Sequence, residues 1–188
     1  RCNMEELNLV EPSIDYKDDV LNFLAEVKVA DEGEPWQYAG MASIEESNSY
    51  EDWVQAKKDE ANGINLPDGY VPASTYLCVR LSDNKVIGIC SIRHELNDYL
   101  LNYWGHVGQS IRPDERGKGY GTKQLSLALD KCMELGIDNV LVACNEKNNA
   151  SSRTIKKFFG EYENTVQCGD EILQRYWINL SKIKSLKK

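Results

Sequence analysis

The pattern of apolar and polar residues predicts a chain in which short strands and longer helices alternate. Short apolar runs that end at Gly, Pro, Asn or Asp are typical of strands, and apolar residues three or four positions apart are typical of amphipathic helices. Strands are predicted at about residues 7–12, 75–81, 86–94, 104–111, 139–144 and 171–180. Helices are predicted at about residues 15–29, 49–61, 121–135 and 150–158.

The second half of the chain has the clearest pattern. Two strand patterns flank the turn sequence SDNK, which predicts a hairpin. The continuous apolar run NVLVAC (139–144) is typical of a strand buried on both faces. We therefore predict an α/β fold of the α+β type, with helices around a mixed, mostly antiparallel central sheet that has a parallel step across residues 111–139. The helix at 121–135 carries a single apolar stripe, Leu125, Ala128, Leu129, Cys132 and Leu135.

The length of the chain fits a single domain. It has 188 residues, without a repeat or a change of composition, and domains usually have ~100–200 residues. We therefore expect one domain over residues 1–188. Arg1–Asn3 precede a plausible initiator, Met4, and are expected to be a frayed or added end. Residues 181–188 form a basic tail, and its sequence KIKSLKK is expected to be disordered.

Charge and hydropathy argue against nucleic-acid and membrane partners. Thirty acidic residues outnumber twenty-two basic ones, for a formal net charge of −8, and such a surface repels a phosphate backbone. No apolar run approaches the roughly 20 residues that span a bilayer. The residues present contain no basic-then-apolar leader, which favours a cytoplasmic location.

The cysteines show no metal-binding or redox spacing. The six lie at positions 2, 78, 90, 132, 144 and 168, and no two form a C-x-x-C pair. Four lie in apolar stretches, where a free cysteine behaves as a small buried hydrophobe. We predict no metal site and a reducing, cytoplasmic setting.

The segment SIRPDERGKGYGT (110–122) carries the most specific chemistry. Its three glycines permit positive φ and a close approach of ligand to main-chain amides. These amides lead into the start of a helix, where unpaired N–H groups and the helix dipole favour an anion. Basic side chains at Arg116, Lys118 and Lys123 add positive charge. The segment therefore predicts a phosphate or pyrophosphate site, and the alternative is a glycine-rich turn with solvated basic residues.

Two common phosphate-binding motifs do not fit this segment. A P-loop requires Ser or Thr after Gly-Lys, and here Gly119 follows Lys118. The G-x-G-x-x-G fingerprint fails because the third glycine is Gly121 and Thr122 follows it.

The motif R-x-x-G-x-G does fit, through Arg116, Gly119 and Gly121. Here the sequence resembles the GNAT superfamily of acetyl-CoA-dependent N-acetyltransferases. A second element of that superfamily, N-x-A-S-x-R-x-I, is matched after the predicted strand 139–144. The resemblance extends from about Leu7 to Leu180 and is strongest to a bacterial subgroup of predicted acetyltransferases. The second motif is formed by Asn148, Ala150, Ser151, Arg153 and Ile155.

The resemblance implies a fold in which two neighbouring strands splay apart and acetyl-CoA lies between them. Main-chain amides of residues 116–121 are expected to hold the pyrophosphate of coenzyme A. Asn148 and Ser151 are expected to contact the cofactor, and helix capping is the alternative role for both. The expected cofactor residues are Ser110, Ile111, Arg116, Gly117, Lys118, Gly119, Tyr120, Gly121, Thr122, Asn148 and Ser151.

The activity implied is direct transfer of an acetyl group to a primary amine on a small molecule or peptide, by a monomer or homodimer. Many members use a tyrosine as proton donor, at the position that Ile155 occupies in this chain. An acyl-CoA-binding sensor or regulatory module without transfer activity is therefore an alternative. A second alternative is an interaction domain in which the glycine loop is only structural.

Direct transfer requires a polarised carbonyl, a neutral amine and a protonated leaving thiol. Backbone amides around Ser110 and Ile111 are candidates for the oxyanion site. The candidate acid–base residues are His94, Glu95 and His106, because histidine titrates close to neutral pH. The alternative for each histidine is a half-buried side chain that bonds a carbonyl.

Aromatic residues in the first half of the chain are candidates for the acceptor pocket. Trp36, Tyr38, Trp53 and Tyr70 lie there, and aromatic faces beside acidic groups can bind a cation. Packing in the core or against loops is the alternative role for these side chains.

Overall fold

The computed structural model describes residues 5–186, in which strands and helices alternate as the sequence pattern predicts. The strands are β1 (Leu7–Val10), β2 (Ala73–Arg80), β3 (Lys85–Arg93), β4 (Val107–Ile111), β5 (Asn139–Asn145), β6 (Glu161–Cys168) and β7 (Glu171–Asn179). The α-helices are α1 (Lys17–Ala30), α2 (Tyr50–Ala61), α3 (Asp98–Asn102), α4 (Tyr120–Glu134), α5 (Asn149–Lys156) and α6 (Leu180–Leu186).

The strands form two sheets that meet at β4 and β5. One sheet has the order β1-β2-β3-β4 and the other the order β5-β7-β6, and all five ladders between described strands are antiparallel. Between β4 and β5 there is no ladder, and an isolated antiparallel bridge joins Gly105 to Val142. The predicted α/β class with a splayed strand pair is confirmed. The expected parallel step across 111–139 is not a hydrogen-bonded ladder, because these two strands separate.

Two apolar cores hold the helices against the sheets. The first packs α1 and α2 on β2 and β3, where Val27 and Trp53 have no exposed surface. The second packs α4 and α6 against β3, β5 and β7. It contains the predicted stripe of α4 from Leu125 to Cys132, whereas Leu135 lies beyond the helix and is 41% exposed. Each fully buried Leu, Ile or Phe stabilises the fold by roughly 1.5–3 kcal/mol.

Strand β6 and helix α3 were not predicted from the sequence pattern. The sequence of β6, EYENTVQC, is polar and mostly exposed, as suits the edge of a sheet. Helix α3 has only five residues and is capped by the preceding Asn97, whose side chain accepts a hydrogen bond from the Leu100 amide.

The prediction of a disordered basic tail is wrong for the residues up to 186. Helix α6 forms there because Leu180 and Ile183 are buried in the second core. The side chain of Asn179 accepts hydrogen bonds from the amides of Ser181 and Lys182, which caps the helix. Arg1–Met4, Lys187 and Lys188 lie outside the described residues.

Hydropathy gives no candidate for a membrane span. Within residues 5–186, every helix is too short or too polar to cross a bilayer.

The junction of the two sheets depends on a glycine and a histidine. Gly105 has φ of +72°, and a Cβ atom there would lie 2.3 Å from the carbonyl oxygen of Leu141. The amide of His106 donates to this same oxygen at 2.7 Å. In return, the ring Nδ1 of His106 accepts from the Leu141 amide at 2.9 Å. β4 and β5 are therefore fixed to each other at this point.

We expect Gly105→Ala to destabilise the protein by more than about 3 kcal/mol, since the methyl group would overlap main chain that cannot move independently. Gly136→Ala is the matched control: Gly136 has φ of +78° with no atom within 4 Å of the added Cβ. It should cost only about 1 kcal/mol, for the left-handed backbone. Urea unfolding of both variants measures the difference, and equal losses would contradict the steric role of Gly105.

Candidate cofactor and acceptor site

A continuous cleft opens where β4 and β5 separate. Its larger part, the central cavity, has a volume of about 660 Å³ and lies between residues 107–109 and 142–145. Its smaller part, the loop groove, has a volume of about 570 Å³ and lies along residues 110–122 and the start of α5. Trp36, Gln109, Asn148 and Ser151 line both parts. An elongated ligand can therefore extend from the loop groove into the central cavity.

The floor of the loop groove is main chain at the start of α4. Gly117 and Gly119 have φ of +76° and +85°, and Gly119 precedes the first helical residue, Tyr120. No described group accepts a hydrogen bond from the amides of residues 117–122. The first amides of a helix have no partner within it, and together with the helix dipole they favour an anion.

The basic side chains of this segment have other partners. The guanidinium of Arg116 makes two hydrogen bonds to the carboxylate of Asp31, at 2.7 and 2.8 Å, and a third to the carbonyl of Ile111. Lys118 is paired with Glu115 at 3.1 Å, and Lys123 donates to the carbonyl of Glu5. Arg116 therefore ties the loop to the end of α1, and anion binding in the groove depends chiefly on main-chain amides.

Glu115 stabilises the glycine loop through hydrogen bonds with basic side chains. Its carboxylate is 4% exposed and accepts hydrogen bonds from Arg80, Lys85 and Lys118. Burial would raise the pKa of Glu115, but these hydrogen bonds, that from Arg80 first, outweigh it and lower the pKa to about 2. The Glu115 carboxylate is therefore charged throughout the neutral range and stabilises the turn that precedes the glycines.

Of the two roles considered for Asn148 and Ser151, helix capping is found for Asn148 alone, and contact with the cofactor stays a prediction for both. The side chain of Asn148 caps α5 by accepting a hydrogen bond from the amide of Ser151 at 3.1 Å. Both residues also line the cleft. Burial raises the pKa of the nearby Cys144 thiol to about 11, although a hydrogen bond with the Ser151 side chain lowers it in part. Cys144 is therefore a neutral thiol in the cavity wall.

The register of β4 determines which of its amides face the cleft. The amide of Arg112 donates to Ile87 on β3, and neighbouring residues of an antiparallel strand alternate in direction. The Ser110 amide therefore points to β3 and the Ile111 amide points away, as the Ile111 carbonyl also does when it accepts from Arg116. Of the two expected oxyanion donors, the Ile111 amide has the suitable direction. The Ser110 hydroxyl is buried with no partner among the described residues.

The three predicted acid–base residues do not line the central cavity. His106 is buried at the sheet junction, where burial, with Arg93 nearby, lowers its pKa to about 4. The His94 ring is 2.7 Å from the Ser74 hydroxyl, and its pKa is lowered by burial despite Glu60 and Glu95 nearby. Both histidines are thus neutral at pH 7 with structural partners. A catalytic role for His94, Glu95 or His106 stays a prediction.

The cavity wall contains other polar and aromatic residues that the sequence did not single out. Glu171 lies in the wall, and burial raises its pKa against the opposing effect of a hydrogen bond with Asn145. Arg93 lies there as well. Neither has a sequence signal, because Glu171 follows an unpredicted strand and Arg93 ends an ordinary one. The aromatic residues that the wall contains in addition to the predicted ones are Tyr99 and Trp104.

Three of the four aromatic candidates for the acceptor pocket lie in this wall: Trp36, Tyr38 and Tyr70. The fourth, Trp53, belongs to the first core, where its indole nitrogen donates to the carbonyl of Ala42. Of the residues predicted to bind the cofactor, all but Lys118 line the loop groove.

Within residues 5–186 no three His, Cys, Asp or Glu side chains group as metal ligands.

Several solved acetyltransferases share this fold. An acetyltransferase from Salmonella typhimurium that modifies the N-terminal serine of the 50S ribosomal protein L7/L12 superimposes with a TM-score of 0.65 at 17% identity, covering 92% of this chain and 94% of that one. The microcin C7 self-immunity acetyltransferase MccE, in complex with acetyl-CoA and AMP, gives 0.67 at 15% identity, covering 94% and 93%. A chimera of spermidine N-acetyltransferase SpeG from Vibrio cholerae and hSSAT gives 0.62 at 14%, covering 97% and 99%.

In fold, therefore, the chain is of the acetyltransferase class. No curated protein matches its sequence significantly. A family profile described as the acetyltransferase (GNAT) domain matches residues 6–158. The chain belongs to the GNAT family, and it is an acetyl-CoA-dependent N-acetyltransferase, as the sequence motifs predicted.

Replacing Glu115 by Gln should destabilise the protein in a pH-dependent manner. The folded-state pKa of Glu115 lies below its ordinary value of 4.5, at about 2, so its stabilisation is complete above pH 4.5 and is lost as the pH falls through 2. We expect a cost of roughly 3 kcal/mol at pH 7 that shrinks to about 1 kcal/mol at pH 3. Urea unfolding at the two pH values measures it.

Glu134→Gln is the control for this experiment, since Glu134 forms an exposed ion pair with Lys131. It should change stability by less than about 0.5 kcal/mol at both pH values. A loss for Glu115→Gln that is the same at pH 3 and pH 7 would show that the ion cluster does not stabilise the loop.

Proposed function

We propose that the loop groove holds the diphosphate of acetyl-CoA and that the acceptor amine enters the central cavity. The observation that carries this proposal is the run of amides at residues 117–122, which have no described acceptor and open on the gap between β4 and β5. Main-chain donors at a helix start suit a phosphate. The groove continues into the cavity, which suits a cofactor with a diphosphate at one end and an acyl group at the other.

The residues of the cleft fit acetyl-CoA in charge and in shape. Arg153 and Lys157 are exposed on the wall of the loop groove, where they can pair with phosphate. The Ser110 hydroxyl is a buried donor without a partner among the described residues. Gly121 leaves the start of α4 bare, since a Cβ there would only make ordinary contacts with Ile111 and Thr154. When bound, acetyl-CoA supplies an acetyl group on a thioester, which a neutral amine accepts directly with release of the thiol.

Two groups of the chain are placed to assist that transfer. The Ile111 amide points from β4 toward the gap and can donate a hydrogen bond to a carbonyl oxygen there. Glu171 lies in the cavity wall, and its raised pKa makes it a better base than an exposed carboxylate. We assign to it the removal of the amine proton. Ile155 is buried and offers no proton at the position where relatives have tyrosine.

A sensor without transfer activity can be distinguished from the proposed enzyme by one measurement, the release of free thiol. Both functions bind coenzyme A, but only an enzyme releases free thiol from acetyl-CoA when an amine is added. The central cavity favours transfer, because it gives an acceptor its own space beside the cofactor groove.

We also propose a cytoplasmic, bacterial setting for this enzyme. The five described cysteines are all free, and unpaired cysteines are typical of reducing compartments. The Salmonella and Vibrio structures that share its fold support a bacterial origin. Monomer and homodimer are both compatible with the proposal.

Gly121→Glu should weaken coenzyme A binding without loss of stability. A carboxylate at the helix start stabilises a helix by up to about 1 kcal/mol, but here it repels the diphosphate. We expect the dissociation constant of coenzyme A to rise at least about tenfold in titration calorimetry. Ser181→Glu adds the same charge in the first turn of α6, on an exposed residue outside the cleft, and should leave binding unchanged. Equal affinity in all three proteins would exclude the loop groove as the diphosphate site.

Glu171→Gln should lower the rate of acetyl transfer at least about tenfold, since the amine would lose its base. The wild-type rate should rise with pH as Glu171 loses its proton, and the variant should lack this limb. His94→Gln, Glu95→Gln and His106→Gln test the sequence-based prediction in the same assay, which follows thiol release with an acceptor found in an amine screen. A normal rate and pH profile for Glu171→Gln would remove it from the mechanism.

A further inference from the structure

The central cavity contains an arginine without a carboxylate partner. Arg93 ends β3, is half-buried and lines the cavity. Its side chain makes one long hydrogen bond, from Nη1 to the carbonyl oxygen of Gly105 at 3.5 Å, and no described carboxylate forms an ion pair with it. A guanidinium has five N–H donors in a planar fork. Most of the Arg93 donors therefore remain available to whatever occupies the cavity.

Arg93 is an exception among the described arginines. Apart from Arg153, which is exposed, every other described arginine is paired with a carboxylate within 4 Å. The pairs are Arg80–Glu115, Arg112–Glu26, Arg116–Asp31 and Arg175–Glu163. Withdrawing a charge from water is costly unless an opposite charge accompanies it. The missing partner of Arg93 can therefore come from a ligand.

The surroundings of Arg93 favour a carboxylate over a phosphate. Lys57, the other base of the cavity, is already paired with Glu60 at 3.4 Å. Glu34, Glu60 and Glu171 also line the cavity and would repel a doubly charged phosphate. A single planar guanidinium matches a single carboxylate through two parallel hydrogen bonds. A carboxylate therefore gives Arg93 one opposite charge and is repelled less by the three glutamates than a phosphate would be.

We propose that the acceptor is a small amine that carries a carboxylate, namely a free amino acid, and that Arg93 binds this carboxylate. The proposal rests on the proposed function and deepens it. The amino group would lie toward Glu171, in a cavity whose aromatic wall also suits a cation. In the transfer, a bond forms between the amine nitrogen and the acetyl carbon, and the proton of the attacking amine passes to the Glu171 carboxylate. The carbon–sulfur bond breaks, and coenzyme A leaves as a thiolate that takes up a proton from water.

The experiment compares amino acids with their carboxamides, in which a neutral group of similar shape replaces the carboxylate. The full chain is incubated with acetyl-CoA and each of the twenty amino acids or its carboxamide, and thiol release gives kcat/KM. We expect at least one amino acid to be used at least tenfold more efficiently than its carboxamide. Arg93→Met should remove that preference by lowering kcat/KM for the amino acid, while the dissociation constant of coenzyme A stays within twofold. Arg93→Lys should retain part of it.

Lys58→Met is the matched control, because it removes a positive charge from the exposed face of α2 and should preserve the preference. If Arg93→Met fails to fold, the comparison of acids with carboxamides in the wild type still decides. The proposal is wrong if carboxamides react as well as the acids, if Arg93→Met keeps the preference or weakens coenzyme A binding, or if coenzyme A binds but no amino acid is acetylated. Absence of coenzyme A binding would instead overturn the proposed function itself, and this inference with it.

Discussion

The separation of β4 from β5 is the constraint on which the rest of the molecule depends. Two neighbouring strands normally satisfy each other's main-chain groups, and here a ladder between them is replaced by a few contacts at residues 105–106 and 141–142. The absence of a side chain at Gly105 permits that approach. Beyond it, the open strand edges and the bare start of α4 surround the cleft. The cleft thus exists because no ladder joins β4 to β5.

The ion pairs around the cleft stabilise the conformation of its walls and leave few charged side chains free to bind a ligand. Arg116 connects the glycine loop to Asp31 through an ion pair. Glu115, which precedes the glycines, forms ion pairs with three basic side chains. These charges are committed to partners within the chain, so the loop keeps its conformation while its amides stay free. Arg93 differs from these residues, because no carboxylate within residues 5–186 forms an ion pair with it.

Much of the fold and of the cofactor groove could be predicted from the sequence. The stripe of α4 and the glycines before it are local signals, since a helix face and a positive φ are each encoded by a few adjacent residues. The apolar run of β5 was equally clear. These signals placed all but one of the expected cofactor residues on the groove, and the exception, Lys118, turns toward Glu115.

Features that depend on contacts between residues distant in sequence could not be predicted. The ion pair between Arg116 and Asp31 spans 85 positions, and no local pattern encodes it. Glu171 follows β6, whose polar edge sequence gave no strand signal. His94 and His106 were predicted as acid–base residues because histidine titrates near neutral pH. Their burial, which keeps them neutral, is a property of the folded sheet and has no local signal in the sequence. The same is true of α6, which is helical because a core receives Leu180 and Ile183.

The use of neutral main-chain donors in a strongly acidic protein has a consequence for encounter kinetics. With a formal charge of −8, the molecule repels a polyanionic cofactor at long range, and the amide dipoles attract it only at short range. Salt shortens the distance over which that repulsion acts, to ~8 Å at physiological ionic strength. Association with coenzyme A should therefore quicken as ionic strength rises, the reverse of the behaviour of proteins that capture phosphates with a basic surface.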